Sequence, residues 1–146
     1  MKTKFVALIM MAISFASCSD NDDPQPIVQV PTGSWKLVEL HHFDKTGKDS
    51  ATTKLDKSTL SINFDKAKSL AAFTGKPESV TMTGSYKMDG NYKLTAGQIA
   101  TDKTVVSVKD SLSLVFLKAG ALYEIKNNTV LIHAGKKGYM LYSPVK

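Results

Sequence analysis

A period of two constrains this chain more than any other feature. Leu60, Ile62 and Phe64 alternate with Ser61, Asn63 and Asp65. Successive side chains on a strand point to opposite faces, so this stretch makes a strand with one dry and one wet face. The same pattern returns at Val80, Met82, Tyr86 and Met88, then at Tyr92 and Leu94 beyond a turn around Asp89-Gly90. Short alternating runs separated by turn residues indicate antiparallel β-structure. Register decides the loop lengths. A three-residue loop, Met88-Asp89-Gly90, pairs Tyr86 with Tyr92 and puts Gly90 in the left-handed position such loops use, whereas a two-residue loop sends Tyr92 to the opposite face. Further on, Asn127-Asn128 as a two-residue turn pairs Ile125 with Val130 and Tyr123 with Ile132. A four-residue loop, Gly135 to Gly138, then sets Leu141 opposite Ile132 and Tyr139 opposite Ala134, completing a three-stranded meander.

Val105 to Ala119 fits two periods at once. Leu112, Leu114 and Phe116 alternate as in a strand, while Val105, Val108, Leu112, Val115, Phe116 and Ala119 form a helical stripe. Asp110 as a cap, Lys118 in the last turn and Gly120 as a stop favour the helix. The expected fold is therefore mainly β (α+β), a curved antiparallel sheet with one packed helix.

The N-terminus carries a different message. Lys2 and Lys4 precede an apolar stretch of 12 residues, Phe5 to Ala16. That is shorter than the roughly 20 apolar residues a membrane-crossing helix needs. Phe15-Ala16-Ser17-Cys18 resembles the lipobox of bacterial lipoproteins, which implies a signal peptide over residues 1–17 and lipidation of Cys18, the only cysteine. Acylation would leave the mature domain no free thiol and no disulfide. Ser19-Asp20-Asn21-Asp22-Asp23 has no apolar residue to start a core and is similar to the acidic export signal of some surface lipoproteins. With Pro24, Pro26 and Pro31 it reads as a tether over residues 18–31. The expected address is the bacterial outer membrane, with the cell surface favoured, and the expected membrane contact is the lipid on Cys18.

The remaining residues, 32–146, are the size of one domain. Beyond the signal peptide and the acidic run they hold 17 lysines against 10 acidic residues, and the chain has no arginine. Nucleic-acid readers depend on arginine forks for guanine and phosphate, so no nucleic-acid partner is expected. The histidines are His41, His42 and His133. Neighbours on a strand face opposite ways, so His41 and His42 do not converge on one metal, and no metal or cofactor is expected. Neither a Gly-x-Ser-x-Gly elbow nor a His-Glu-x-x-His helix occurs, and the glycines are isolated, so no catalytic residue is assigned and no enzyme is expected. His41 to Lys57 is dense in polar residues and reads as an exposed loop.

Gly33-Ser34-Trp35-Lys36-Leu37-Val38-Glu39-Leu40, Leu60 to Asp65, Thr83-Gly84-Ser85-Tyr86 and Tyr123-Glu124-Ile125 together resemble the META domain of HslJ-like bacterial lipoproteins. Leu114 and Leu117 match the leucines of that family's single helix. The resemblance implies a curved sheet or partial barrel with one helix, and a role in stress tolerance, secretion or motility. Gly75-Lys76-Pro77-Glu78 stands where the family has Gly-Cys-Asn, and no cysteine occurs at Thr101 to Thr104, so functions carried there do not transfer. Gly33-Ser34-Trp35 also resembles the Gly-x-Trp opening of lipocalin-like barrels, in which the tryptophan closes one end of a cavity.

Three functions follow as expectations. A non-enzymatic envelope protein that contacts other envelope or surface proteins needs a filled core. A lipocalin-like carrier of a small apolar ligand needs an internal cavity of several hundred Å³, with Trp35, Met82, Tyr86 and Tyr92 as the binding residues. A surface inhibitor or adhesin needs only exposed loops, such as His41 to Lys57 or Gly135 to Gly138.

Overall fold

The computed structural model describes residues 27–146. The expected signal peptide, Cys18 and the expected tether as far as residue 26 lie outside the described residues. The strands are β1 (Ser34–Phe43), β2 (Asp49–Lys54), β3 (Ser61–Asp65), β4 (Leu70–Gly75), β5 (Met82–Met88), β6 (Leu94–Ala96), β7 (Ala100–Thr101), β8 (Leu122–Lys126), β9 (Thr129–His133) and β10 (Gly138–Pro144), with helix α1 (Val108–Ala119) between β7 and β8. Eight strands run in the order β6-β5-β4-β3-β1-β10-β9-β8, while β2 pairs with β1 and β7 with β5. The two ends of this order meet. Leu94 N–H donates to the Ala121 carbonyl at 2.8 Å and Tyr123 N–H to the Tyr92 carbonyl at 2.9 Å. The antiparallel sheet thus curls into a nearly closed barrel joined by a short seam, the mainly-β fold with one helix that the periodicity indicates.

Alternation explains the interior. Ile62 on β3, Ala71 and Phe73 on β4, and Met82, Tyr86 and Met88 on β5 all point inward and are buried. On β1 the beat breaks, because Trp35, Leu37 and Leu40 are all buried although Leu37 and Leu40 are three apart. A bulge between Leu37 and Glu39 in the pairing with β10 absorbs Val38 and returns Leu40 to the inside. Leu37, Leu40, Leu60, Met82, Tyr86, Ile132, Met140 and Tyr142 are among the largest fully buried side chains. Each large apolar side chain removed from water contributes about 1.5–3 kcal/mol before entropy is counted.

The strand directions define two ends. The turns β3–β4, β5–β6 and β8–β9 lie at one end with the start of β1. The β1–β2, β4–β5 and β9–β10 connections lie at the other. Helix α1 closes the second end: Phe116 meets His42 edge-on at 5.2 Å, and the Leu117 carbonyl accepts from the Tyr86 hydroxyl at 2.6 Å. The first end is crossed by residues 28–31, which the sequence assigned to the tether. Val28 and Val30 pack against the core and Pro31 is buried, so this strap belongs to the folded body.

Several local expectations change. Asn127-Asn128 is the two-residue turn anticipated, with both residues left-handed and Ile125 opposite Val130. The β5–β6 connection is longer than three residues: Met88 pairs with Leu94 and Tyr86 with Ala96, so Tyr86 and Tyr92 are not partners. The Asp89 carboxylate accepts from the Asn91 and Lys93 amides and spans a wider loop. Tyr92, and not Gly90, takes the left-handed backbone, at φ 61°. At the β9–β10 connection, Met140 pairs with Ile132 and Tyr139 with His133. Ala134 closes a loop onto Gly138, one residue shorter than expected, and the slip turns Met140 and Tyr142 inward in place of Tyr139 and Leu141. Gly138 has φ 132°, and a Cβ there would run into the His41 carbonyl. His41 to Lys57 is no free loop, since it holds the end of β1 and all of β2.

The helix exists, and Phe116, Leu112 and Ala119 of the predicted stripe meet the core, but its inner face is rotated from that stripe. Val108 and Val115 are 74% and 41% exposed, while Asp110, Ser113, Phe116 and Leu117 face inward. Ser107, and not Asp110, is the cap. Its hydroxyl accepts from Asp110 N–H and donates to the Asp110 carboxylate, a side-chain N-cap with the aspartate held against it. The same carboxylate accepts from the Glu78 and Ser79 amides and the Ser79 hydroxyl. These bonds tie the β4–β5 connection to α1 and set the helix's rotation.

Candidate functional site

The four residues proposed for an internal ligand do not come together. Met82 and Tyr86 are fully buried and packed. The Tyr86 hydroxyl is committed to Leu117, and burial followed by the neighbouring Tyr142 pushes its pKa well up. Trp35 closes the strap end from within, its indole N–H donating to the Thr32 carbonyl at 3.1 Å. Tyr92 lines an open cleft outside the packed core, and Trp35 borders a separate groove under the strap, so the two do not share a site with Met82 and Tyr86.

That cleft lies beside the seam. It has a volume of about 380 Å³ and is lined by Gln29, Tyr92, Leu122, Tyr123, Glu124, Ile125 and His133. Three elements build it. The strap supplies Gln29, whose N–H donates to the Tyr92 hydroxyl at 3.2 Å and whose carbonyl accepts from the Tyr123 hydroxyl at 3.2 Å. The widened β5–β6 loop supplies Tyr92, 5.2 Å from the Tyr123 ring. Strand β8 supplies four consecutive residues. Because alternate residues of a strand face opposite sides, a cleft lined by consecutive ones runs along the strand's edge. Desolvation, then Tyr92 and Asp89 nearby, raises the Tyr123 pKa and keeps its hydroxyl a donor at neutral pH. On the rim, His133 Nε2 lies 3.2 Å from Glu124 Oε2.

A second polar group sits on the outer face of β1 and β10. His41 stacks on Tyr139 with ring centroids 4.4 Å apart. Its ring nitrogens lie 2.9 Å from Glu39 Oε2 and 3.6 Å from Asp49 Oδ1. His42 turns the other way, toward Thr53 and Phe116, as adjacent strand residues must. Among the described residues, no three His, Cys, Asp or Glu side chains converge as a metal site would require.

Sequence reasoning missed Gln29, Leu122, Ile125 and His133 as cleft residues. No local pattern marks them, because they meet only when the barrel closes. Tyr123 carried a signal, an aromatic on a strand whose hydroxyl needs a partner once buried.

No protein-family model matches the chain, and no curated protein matches it. Among solved structures the chain is similar to a DUF4847 family protein from Bacteroides vulgatus, with a TM-score of 0.51 and 20% identity over 79% of this chain and 94% of that one. At that identity the likeness is one of fold.

Proposed function

We propose that this chain is a lipid-anchored protein of the bacterial outer membrane, displayed at the cell surface, whose META/HslJ-like barrel works through its outer surface in an interaction or stress-tolerance role and performs no catalysis. The observation that carries this reading is the packed interior. Tyr86, Tyr142, Leu37, Leu40, Met82 and Met140 occupy the space a carrier would keep open. The helix at Val108–Ala119 supports the META resemblance, whose single helix falls at the same place. Ile27 leaves the barrel at the strap end. A spacer from Ser19 to Pro26, at most about 3.3 Å per residue, then holds that end within roughly 26 Å of the bilayer and turns the helix end outward.

Two measurements test the proposal. Cys18→Ala moves the protein from the membrane to the soluble fraction, and unchanged membrane retention removes the anchor. Native mass spectrometry of residues 27–146 after incubation with extract of the source cells finds no small-molecule adduct on the protein. A retained small apolar molecule favours the carrier reading. The cleft beside Tyr92 and Tyr123 is the specific feature on its side, and loss of that ligand in Tyr92→Ala would place it there.

A further inference from the structure

The barrel's seam is shorter than its edge. In an antiparallel strand the N–H and C=O of one residue point to the same side, and neighbours alternate. Tyr123 sends its N–H across the seam to Tyr92, and Lys126 pairs with Thr129 across the Asn127-Asn128 turn. Leu122, Glu124 and Lys126 therefore bond toward β9, while Ile125 turns both its backbone groups outward. Among the described residues, no backbone hydrogen bond across the seam reaches Ile125. Open space lies on both sides of it: the cleft of about 380 Å³ toward Leu122, and a groove of about 500 Å³ toward Trp35, which share Gln29 and Ile125.

We propose that this edge is a self-association surface, on which a second copy of the chain pairs β8 to β8, antiparallel, about a twofold axis through Ile125. A twofold interface requires a patch complementary to itself, and this one is. Ile125 N–H donates to the carbonyl of the partner's Ile125, and the Ile125 carbonyl accepts the reverse bond, the paired exchange that an antiparallel ladder makes at alternate positions. With Ile125 on the axis, Glu124 falls opposite the partner's Lys126, and Lys126 opposite the partner's Glu124. All four side chains lie on the outer face, where opposite charges directly across a ladder attract. Among the described residues Lys126 has no salt bridge, and Glu124 uses one oxygen toward His133. Edge strands usually deter such pairing with charge. Here the signs flanking Ile125 are opposite, so antiparallel self-pairing satisfies them. The chain's own segment before Ile27 suits the edge less, since Pro24 and Pro26 lack the N–H a ladder needs.

Sedimentation of the full-length chain in density-matched nonionic detergent tests this, and carrying Cys18→Ala throughout separates it from anchoring. The chain sediments as a concentration-dependent dimer. Glu124→Lys and Lys126→Glu each raise the dimer dissociation constant about tenfold or more, and the double exchange restores it, because the pairs re-form with signs reversed. Ile125→Pro, which removes the outward N–H and breaks no ladder bond to β9, also abolishes the dimer, with far-ultraviolet circular dichroism measured alongside to show that the barrel is retained. A monomer at every concentration, a dimer indifferent to the single exchanges, or a double exchange that fails to restore pairing overturns the proposal.

Discussion

At the helix end of the barrel one buried carboxylate joins the helix and its cap to the β4–β5 connection, whereas at the strap end apolar residues lie across the opening and two tyrosine hydroxyls hold the backbone of Gln29. Asp110 accepts from the helix cap and from both amides of the β4–β5 connection, so α1 cannot leave without stranding a buried charge. The strap has no such obligation. Val28 and Val30 are only partly buried, and of the two Gln29 hydrogen bonds the one to the Tyr92 hydroxyl is exposed while the one from Tyr123 is partly buried. Stability in this barrel is therefore unevenly distributed. The helix end is locked, and the strap end, beside the free β8 edge, is the one able to open at small cost.

The comparison can be broken or sharpened by substitution, with urea unfolding as the readout. Gly138→Ala should have the largest effect, more than about 3 kcal/mol, because its Cβ meets the His41 backbone and its φ is positive. Asp110→Asn should cost about 2–3 kcal/mol, since the amide loses the charge that four neighbouring donor groups were arranged around. Tyr86→Phe should cost about 1 kcal/mol by leaving the Leu117 carbonyl short of its main partner. Tyr92→Phe at the strap end should cost no more than about 0.5 kcal/mol. If it equals Tyr86→Phe, the two ends are alike and the comparison fails.

Acid separates the ends in the same way. Burial pushes the Asp110 carboxyl up, but hydrogen bonds from Ser79, Ser107 and the Ser79 and Glu78 amides outweigh it and hold its pKa below the ordinary 3.8. A carboxyl lowered on folding contributes its full stabilisation above the unfolded value and loses it as pH falls through the folded one. Stability should therefore fall below about pH 4, and Asp110→Asn should flatten that fall. Trp35, the one tryptophan, sits under the strap. Its fluorescence should shift in Val30→Ser while the circular dichroism midpoint barely moves. Coincident shifts would mean that the strap is part of the cooperative core.

Much of this was legible before folding, and the losses have identifiable causes. Leu60, Ile62 and Phe64 declared their strand because each choice was local, and Asn127-Asn128 declared its turn because two left-handed residues suit a two-residue hairpin. The β9–β10 register was missed by one residue, as Gly135 to Gly138 offers several loop lengths and only the clash-free seating of Gly138 on β1 selects one. The α1 stripe was misread because periodicity weighs apolar residues, and a buried aspartate with its donors fixed the rotation instead. Tyr92 was assigned to a pair with Tyr86 inside a barrel, yet it lines a cleft outside.

By itself the sequence determined some of the elements: the strand at Leu60 to Phe64, the β8–β9 hairpin with its Asn127-Asn128 turn, and the one helix, because dihedral preference and burial pattern act over a few residues. Only the tertiary structure decided how the sheet closes, which face of α1 turns inward, that residues 28–31 belong to the fold, and that Ile125 is left at an open edge. Each of these depends on groups far apart in the chain satisfying one another's hydrogen bonds and volume, and no local pattern records that.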